Sequence, residues 1–599
     1  MIYPVDVTKK VDLEKAKQDL AGDRITIGLA TCGISAGGIP VYEALKNANL
    51  GINIDKVGCI GMCYLEPIVT VVKNQKKSIY GLVTKENIQK LIDCIKKDEV
   101  CNELLVTHDI SEMDFFKKQK RIIMDNCGVV NPLRLDQYIA RNGYQGLTNA
   151  LQKLPKDIIE EVKKAGLRGR GGAGFSTGMK WSFIADKQGK KYIICNGDEG
   201  DPGAFMNRTL MESDPFNLIE GLTIGAYAIG SDEAVIYTRA EYPLAIETLE
   251  KAIQICHDHD LLGEDILGIK GFKFNIYIQK GAGAFVCGEE TALINSLHGK
   301  RGMPNPRPPY PTDQGYNSKP TVINNVETWA HVTTILRVGA DEFAKVGSLK
   351  SKGTKMLCLT GKIKHTGVVE VPIGTIMREV VYDIGGGAPE KTKIKAVLAG
   401  GPAGGCVPEH LLDTPLDYET LQSIGAIMGS GGFVVLNDES CMVDVARFFM
   451  NFSQEESCGK CTPCREGTKR LLEMLINITK GVGDAALLDK IKLLAEFVRD
   501  NALCGLGQNA SNPVLSTMNH FKNEYESHIK DKKCPAGACT TLLNFFITEK
   551  CVGCGNCAHH CPVKCISGEP RKKYLIDQSK CIKCGTCYDV CAFKAIIKK

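Results

Sequence analysis

Hydrophobic and polar positions follow several different periods along this chain, and each change of period marks a change of element. Apolar residues recur at helical intervals over 13–20, run together over 25–30 in the manner of a buried strand, and return to helical spacing over 41–48 and 85–95. Beyond residue 120, predicted helices near 148–165 and 243–257 are interspersed with strands at 192–195, 234–237 and 274–279, followed by a proline-rich loop at 303–311. Short β-rich segments then occupy 355–435, separated by glycine clusters at 385–387, 400–405 and 429–432. Helical periodicity resumes over 471–478, 487–498 and 514–525, and the last fifty residues repeat one short cysteine pattern twice.

These patterns predict a multidomain α/β protein. Residues 1–120 have the strand and helix order of a thioredoxin-like unit, 135–345 form a glycine-rich α/β catalytic domain, 355–436 a β-grasp-like module without obvious chemistry, 437–530 a helical bundle, and 546–599 a ferredoxin-like tail. A length of 599 residues is too great for one core and agrees with several domains. The net charge of +5 is small and its basic residues are scattered, which gives no electrostatic case for nucleic acid or a membrane surface. With no leader-like start and no apolar run of spanning length, the expectation is a cytoplasmic chain.

Twenty-seven cysteines change the picture, because most fall in C-x2-C or C-x3-C groups, the spacing of metal ligands rather than of a disulfide scaffold. The tail carries Cys551, Cys554, Cys557 and Cys561, then Cys581, Cys584, Cys587 and Cys591, the spacing of two-cluster bacterial ferredoxins. There the fourth cysteine of each run crosses to the other cluster, so Cys591 joins the first three and Cys561 joins Cys581, Cys584 and Cys587. Paired zinc knuckles are the alternative. The bundle supplies Cys458, Cys461 and Cys464 with the remote Cys504, a set suited to a [4Fe–4S] cluster held between helices, with structural zinc as its alternative.

Two cysteine groups are incomplete. Cys32, Cys59 and Cys63 match part of a thioredoxin-like [2Fe–2S] site, yet the position where another thiolate is expected holds Ile27; a cluster with a substitute ligand and a set of merely buried thiols both remain open. Cys534 and Cys539 with His528 offer mixed ligands for zinc, with the fourth left to His559, His560 or Cys565, and a metal-free loop is the alternative.

Residues 169–174 read Gly-Arg-Gly-Gly-Ala-Gly, a weak dinucleotide signal, since here a helix precedes the glycines and the strand comes later, against the Rossmann order. Its surroundings strengthen it: Phe175-Ser-Thr-Gly-Met-Lys180-Trp, Cys195-Asn-Gly-Asp198-Glu-Gly-Asp201, Gly281-Ala-Gly-Ala-Phe-Val-Cys-Gly288-Glu289-Glu290 and Asn324-Asn325-Val-Glu-Thr. Together they offer backbone amides for phosphate, a cation, and amide and carboxylate side chains for ribose and ring atoms.

This four-part set, with the 458–504 cysteines, resembles the NADH-binding flavoprotein subunit of respiratory complex I over about residues 135–530. With the front domain and tail added, nearly the whole chain resembles the flavin-bearing beta subunit of electron-bifurcating [FeFe]-hydrogenases. The resemblance implies FMN contacts at Gly169, Arg170, Gly171, Gly172, Lys180, Asn196, Asp198, Glu199, Gly288, Glu289, Asn324 and Asn325. NAD(H) is then placed beside Phe175 and Phe183, with Asp201 and Glu290 near its ribose and amide, while Phe285, Arg307 and Tyr310 stand where relatives carry Tyr, Lys and Phe.

The resemblance implies hydride exchange between NADH and FMN, then single-electron transfer through [4Fe–4S] clusters, with no obligatory catalytic side chain. It implies as partners a hydrogenase catalytic subunit and a small thioredoxin-like [2Fe–2S] subunit, with ferredoxin acting through the complex. A diaphorase subunit of an NAD-dependent formate dehydrogenase or of an NADP-reducing hydrogenase is the second reading, and a relay with a vestigial nucleotide site is the third.

Overall fold

Five strands near the amino terminus make the first sheet of the protein, a computed structural model describing Tyr3 and residues 5–598; the outermost residues of the expected 1–120 and 546–599 domains lie outside the described set. Strands β1 (Arg24–Gly28), β2 (Asn53–Val57), β3 (Val69–Lys73), β4 (Lys76–Tyr80) and β5 (Leu105–Thr107) stand in the order β2-β1-β3-β4-β5. The first pair is parallel and the others are antiparallel. Helices Gly38–Asn47 and Ile88–Lys97 turn Val41, Leu45, Leu91 and Ile95 toward Ile25, Ile27 and Val69 in one apolar core.

The second sheet is wholly parallel, with β6 (Tyr192–Gly197), β7 (Glu233–Arg239), β8 (Asn275–Gly281) and β9 (Thr321–Asn325) in the order β8-β7-β6-β9. The chain travels outward from β6 to β8 and then returns to add β9 on the other side of β6. Such a reversal opens a crevice beyond the carboxyl ends of the two diverging strands, where open α/β sheets bind ligands.

A helix absent from the sequence reading, Pro215–Ile229, packs in the core of this domain with nearly every residue buried. It is buried on all faces, Asn217, Glu220 and Thr223 included, and therefore shows little amphipathic period. Gly221 and Gly225 let it approach Val326–Val338: a Cβ at Gly221 would meet the Trp329 carbonyl oxygen at 2.2 Å, and one at Gly225 would meet the indole at 2.4 Å. Trp329 stacks in turn on Trp181, with ring centroids 5.4 Å apart. The helix expected over 148–165 is two, Gln145–Leu151 and Pro155–Lys164, since Pro155 has no amide to continue the first and suits the first position of the second.

Strands β10 (Thr354–Gly361), β11 (Gly367–Pro372), β12 (Ile394–Ala399), β13 (Gly405–Pro408) and β14 (Gly432–Asn437) form a third sheet in the order β11-β10-β14-β12-β13. The chain divides into two compact units, the first of residues 1–389 and 397–435, the second of 390–396 and 436–599.

The second unit begins with helices Met442–Glu455, Thr462–Thr479, Ala485–Asn501, Gly505–Ala510 and Asn512–His520, packed around Met450, Leu471, Leu475, Ile491, Val498 and Val514. Its tail is a pseudo-repeat: β15 (Phe545–Ile547) pairs antiparallel with β18 (Ile596–Lys598), and β16 (Ile566–Ser567) with β17 (Leu575–Ile576), so each repeat is closed by a strand of the other. Among the described residues, no helix is long and apolar enough to cross a membrane.

Candidate functional site

The glycine loop lies between helices Pro155–Lys164 and Thr177–Ala185, closed by a bridge between Arg168 and Ser176 and by the Gly169 amide donating to the Phe175 carbonyl at 2.8 Å. Ser176 caps the second helix, accepting from the Met179 amide. Gly172 and Gly174 take φ of 116° and 65°, which other residues adopt only under strain. The amides of Gly171, Gly172 and Ala173 find no acceptor among the described residues, and a Cβ at Gly171 would press on Asn325 at 3.3 Å. Free amides in a turn with no side chain in the way are the donors an anionic phosphate requires.

Asn196 and Asp198 lie at and just beyond the carboxyl end of β6, and Asn324 and Asn325 end β9, on both sides of the crevice. Asn196 donates through Nδ2 to the Gly288 carbonyl at 2.9 Å, and Asn324 accepts from Trp181 Nε1 at 3.1 Å. Asn325 caps the helix that follows by accepting the Glu327 amide at 2.9 Å. Glu289 caps helix Glu290–Leu297 through the Thr291 and Ala292 amides and also pairs with Arg307. Lys180 pairs with Glu290 and donates to the Ile323 carbonyl, while Arg307 reaches Glu290 at 3.7 Å. One edge of the crevice is thus a row of alternating charges.

Phe175 and Phe183 stand exposed, with centroids 6.2 Å apart, and Tyr310 is also exposed, while Phe285 lies partly buried in the turn before Gly288. Glu199 is buried and accepts the Asn207 and Arg208 amides at the start of helix Met206–Ser213. Burial pushes its pKa up to about 7 against the pull of those amides. Desolvation lifts Asp201 to about 6, opposed by the Ser430 hydroxyl that donates to it.

The Arg170 side chain, fully buried, gives its guanidinium to three backbone carbonyls, Thr354 at 2.9 Å, Arg168 at 2.7 Å and Lys352 at 2.6 Å. It anchors the loop. The motif's Glu327 and Thr328 are structural too: Glu327 forms a buried pair with Lys355, and the Thr328 hydroxyl accepts the Arg170 amide at 2.9 Å. Glycine-rich spacing gave no signal for these roles, because their partners are remote in sequence.

In the bundle, Cys458, Cys461 and Cys504 all lie within electrostatic reach of Cys464, with Cys461 at the residue before helix Thr462–Thr479 and Cys504 at the one before Gly505–Ala510. The amino end of the longer helix favours the negative charge of a thiolate-bound cluster. In the tail, Cys551, Cys554, Cys557 and Cys591 line one pocket, and Cys561, Cys581, Cys584 and Cys587 line another, the crossed grouping expected from the spacing. Cys565 also lines the second, with its sulfur 3.5 Å from that of Cys561.

A further four-residue group brings Cys441 to His528, Cys534 and Cys539, all buried, with the four ligand atoms within 4.8 Å of one another. Cys441 Sγ is 3.4 Å from His528 Nε2 and 3.6 Å from Cys539 Sγ, and His528 Nε2 is 3.3 Å from Cys539 Sγ. His528 Nδ1 lies 2.7 Å from the Glu524 carbonyl, the contact that orients an imidazole for metal binding through Nε2. Cys441 is the fourth member in place of His559, His560 or Cys565. It stands alone in sequence, so no motif flags it.

Residues 162–334 match the model of the Nuo51 FMN-binding domain, 444–528 that of the NADH-ubiquinone oxidoreductase-F iron-sulfur binding region, and 550–595 that of a 4Fe-4S dicluster domain. The NADP-reducing hydrogenase subunit HndC of Solidesulfovibrio fructosivorans is 53% identical over 485 residues, 81% of this chain and 99% of that protein. An F-type subunit of the NADH-quinone oxidoreductase of Rhizobium meliloti (strain 1021) is 44% identical over 416 residues, 69% of this chain and 99% of the relative. A chain of the crystal structure of NAD+-reducing [NiFe]-hydrogenase in the H2-reduced state is similar at a TM-score of 0.61 and 29% identity, covering 88% of this chain and 87% of that one.

Fold and comparisons together define an oxidoreductase subunit with an FMN-binding domain and iron–sulfur regions. The chain belongs to the family of F-type flavoprotein subunits of NADH dehydrogenases, which includes hydrogenase subunits of the HndC type.

Proposed function

We propose that this chain is the NAD(H)-oxidoreducing flavoprotein subunit of a cytoplasmic, NAD- and ferredoxin-linked hydrogenase complex of the electron-bifurcating type. The observation that carries the reading is the crevice beyond β6 and β9, where unpaired glycine-loop amides, exposed aromatic rings and the Lys180, Glu290, Arg307 and Glu289 row converge. The similarity to HndC favours, as second reading, an NADP-reducing hydrogenase without bifurcation.

The residues fit FMN. The amides of Gly171, Gly172 and Ala173 would hold its phosphate, and Gly169, Lys180, Asn196, Asp198, Gly288, Glu289, Asn324 and Asn325 its ribityl and ring polar atoms. Bound FMN supplies the conversion between two-electron exchange with a nicotinamide and single-electron exchange with clusters. Phe175, Phe183, Phe285, Asp201, Glu290, Arg307 and Tyr310 bind and orient the dinucleotide.

The three cysteine quartets of bundle and tail fit three [4Fe–4S] clusters, and Cys32, Cys59 and Cys63 a [2Fe–2S] centre in a thioredoxin-like front domain. The buried donor set of three sulfurs and one nitrogen from Cys441, His528, Cys534 and Cys539 fits structural zinc, whose tetrahedral shell has this composition and closure. The β10–β14 sheet is read as the β-grasp-like module. Hydrogen chemistry belongs to a catalytic partner chain, assisted by a small [2Fe–2S] subunit.

Anaerobically purified protein is expected to contain FMN and to reduce a viologen dye with NADH. Protein lacking both properties would sink the reading in favour of a relay with a vestigial pocket. In the complex with its copurifying partners, hydrogen-dependent NAD+ reduction that requires ferredoxin supports the first reading, and ferredoxin-independent NADP+ reduction supports the second.

A further inference from the structure

Ile27, at the position where an amino-terminal [2Fe–2S] site would place another thiolate, is fully buried in β1, opposite Val69, and packs in the apolar core with Val41 and Leu45. No shift of register brings a further cysteine to its place. The thiols of Cys32, Cys59 and Cys63 nevertheless converge, their sulfurs within 4.8 Å of one another and the last two 3.7 Å apart.

Against Cys32 lies the carboxyl group of Glu66, 5% exposed, with Oε1 3.6 Å from Cys32 Sγ. Its Oε2 accepts the Ile68 amide at 2.9 Å, and no lysine or arginine pairs with it among the described residues. Two glycines make its room. A Cβ at Gly28 would come within 3.0 Å of both carboxylate oxygens, and one at Gly33 within 3.2 Å of Oε2. The thiols are supported from behind: the Gly61 amide donates to Cys59 Sγ at 3.2 Å, the Cys59 amide to Ser213 Oγ at 3.1 Å, and Thr31 donates through N and Oγ1 to Glu212 at 2.8 and 2.5 Å.

Three thiols and a carboxyl packed together without a protein cation, Cys59 and Glu66 buried and Cys32 and Cys63 half-buried, are poorly matched to one another, since each ionised group disfavours the next. A cationic inorganic core removes the conflict. Each iron of a [2Fe–2S] centre takes two protein ligands beside its two bridging sulfides, so four donors are needed and three cysteines leave one iron short. We propose that Glu66 is that fourth ligand, completing a three-cysteine, one-glutamate [2Fe–2S] centre. This rests on the reading of Cys32, Cys59 and Cys63 as a cluster site.

Helix Met206–Ser213 ties this centre to the nucleotide domain. Glu199 accepts the amides at its start, and Glu212 and Ser213 at its end hold Thr31 and Cys59. Its eight residues rise about 12 Å.

The test uses the full chain, purified anaerobically as wild type, Glu66→Ala, Glu66→Cys and Cys32→Ser, with iron counting, EPR of dithionite-reduced protein and redox titration. Glu66→Ala is expected to lose two irons per chain and the [2Fe–2S] signal while keeping its FMN and cubane signals. Glu66→Cys is expected to regain the signal at a lower midpoint potential, because a thiolate donates more charge to iron than a carboxylate; this recovery separates ligation from a folding defect. Unchanged iron and an unchanged spectrum in Glu66→Ala would overturn the assignment of Glu66 alone. A wild type whose iron and spectrum match those of Cys32→Ser would overturn the cluster reading and, with it, the proposal.

Discussion

The nucleotide crevice and the Cys441–His528–Cys534–Cys539 group are built on opposite electrostatic principles. In the crevice, charges are already satisfied within the protein: Lys180 by Glu290, Arg307 by Glu289, and Arg170 by three carbonyls. Their paired side chains line the crevice beside the glycine-loop amides and the exposed aromatic rings. In the four-residue group, four buried donors face one another, and among the described residues no lysine or arginine joins them. On the proposed reading, the first arrangement would receive a large anion through many weak contacts, and the second would close around a single small cation. Loss of one contact should therefore be gradual in one region and abrupt in the other.

The largest effect expected from this contrast is at Cys441. Cys441→Ser should abolish stoichiometric zinc and lower the melting temperature by more than about 10 °C, because binding free energy at a structural zinc site, about 10 kcal/mol or more, is also folding free energy. Metal analysis with thermal unfolding checks it, and retention of full zinc by the variant would break the comparison.

Next is Arg170→Lys, which keeps the charge but gathers its three donors on one nitrogen and so cannot reach three carbonyls spaced around a planar guanidinium. It should cost about 2–3 kcal/mol of stability through unsatisfied buried acceptors. Chemical denaturation is the measurement. FMN affinity of the folded protein should change little, whereas Lys180→Ala should weaken FMN binding by about tenfold, or 1.4 kcal/mol, at nearly unchanged stability. Equal loss of FMN in both variants would erase the distinction between the loop anchor and the binding residues.

The smallest effect is a pH slope. Burial raises Glu199 to about 7, so the folded state holds a proton that the unfolded state releases near the ordinary carboxyl value. The resulting stability is fully present below the unfolded pKa and is lost as pH rises through about 7. Glu199→Gln should flatten the decline in unfolding midpoint between about pH 4.5 and 7; a slope identical to wild type would remove Glu199 as its source.

Cluster spacing and the glycine-rich segments were legible because their residues are near neighbours. Three cysteines within seven positions must converge whatever the remaining fold does, and the crossed grouping of the tail follows from its duplication. Helix Pro215–Ile229 escaped because burial on all faces leaves little period. The anchoring role of the Arg170 side chain was not legible, because Thr354 and Lys352, its partners, lie more than 180 residues away.

The sequence by itself determined the set of cofactor-class donors and their local clustering, since C-x2-C loops and glycine turns fix short-range geometry regardless of context. Only the tertiary structure decided that Cys441 joins His528, Cys534 and Cys539, that Glu66 lies against Cys32 while Ile27 is buried in the core, and that the glycine loop borders the carboxyl ends of β6 and β9. Each of these depends on chain segments distant in sequence that meet when apolar faces are buried, and local spacing carries no information about where such segments meet.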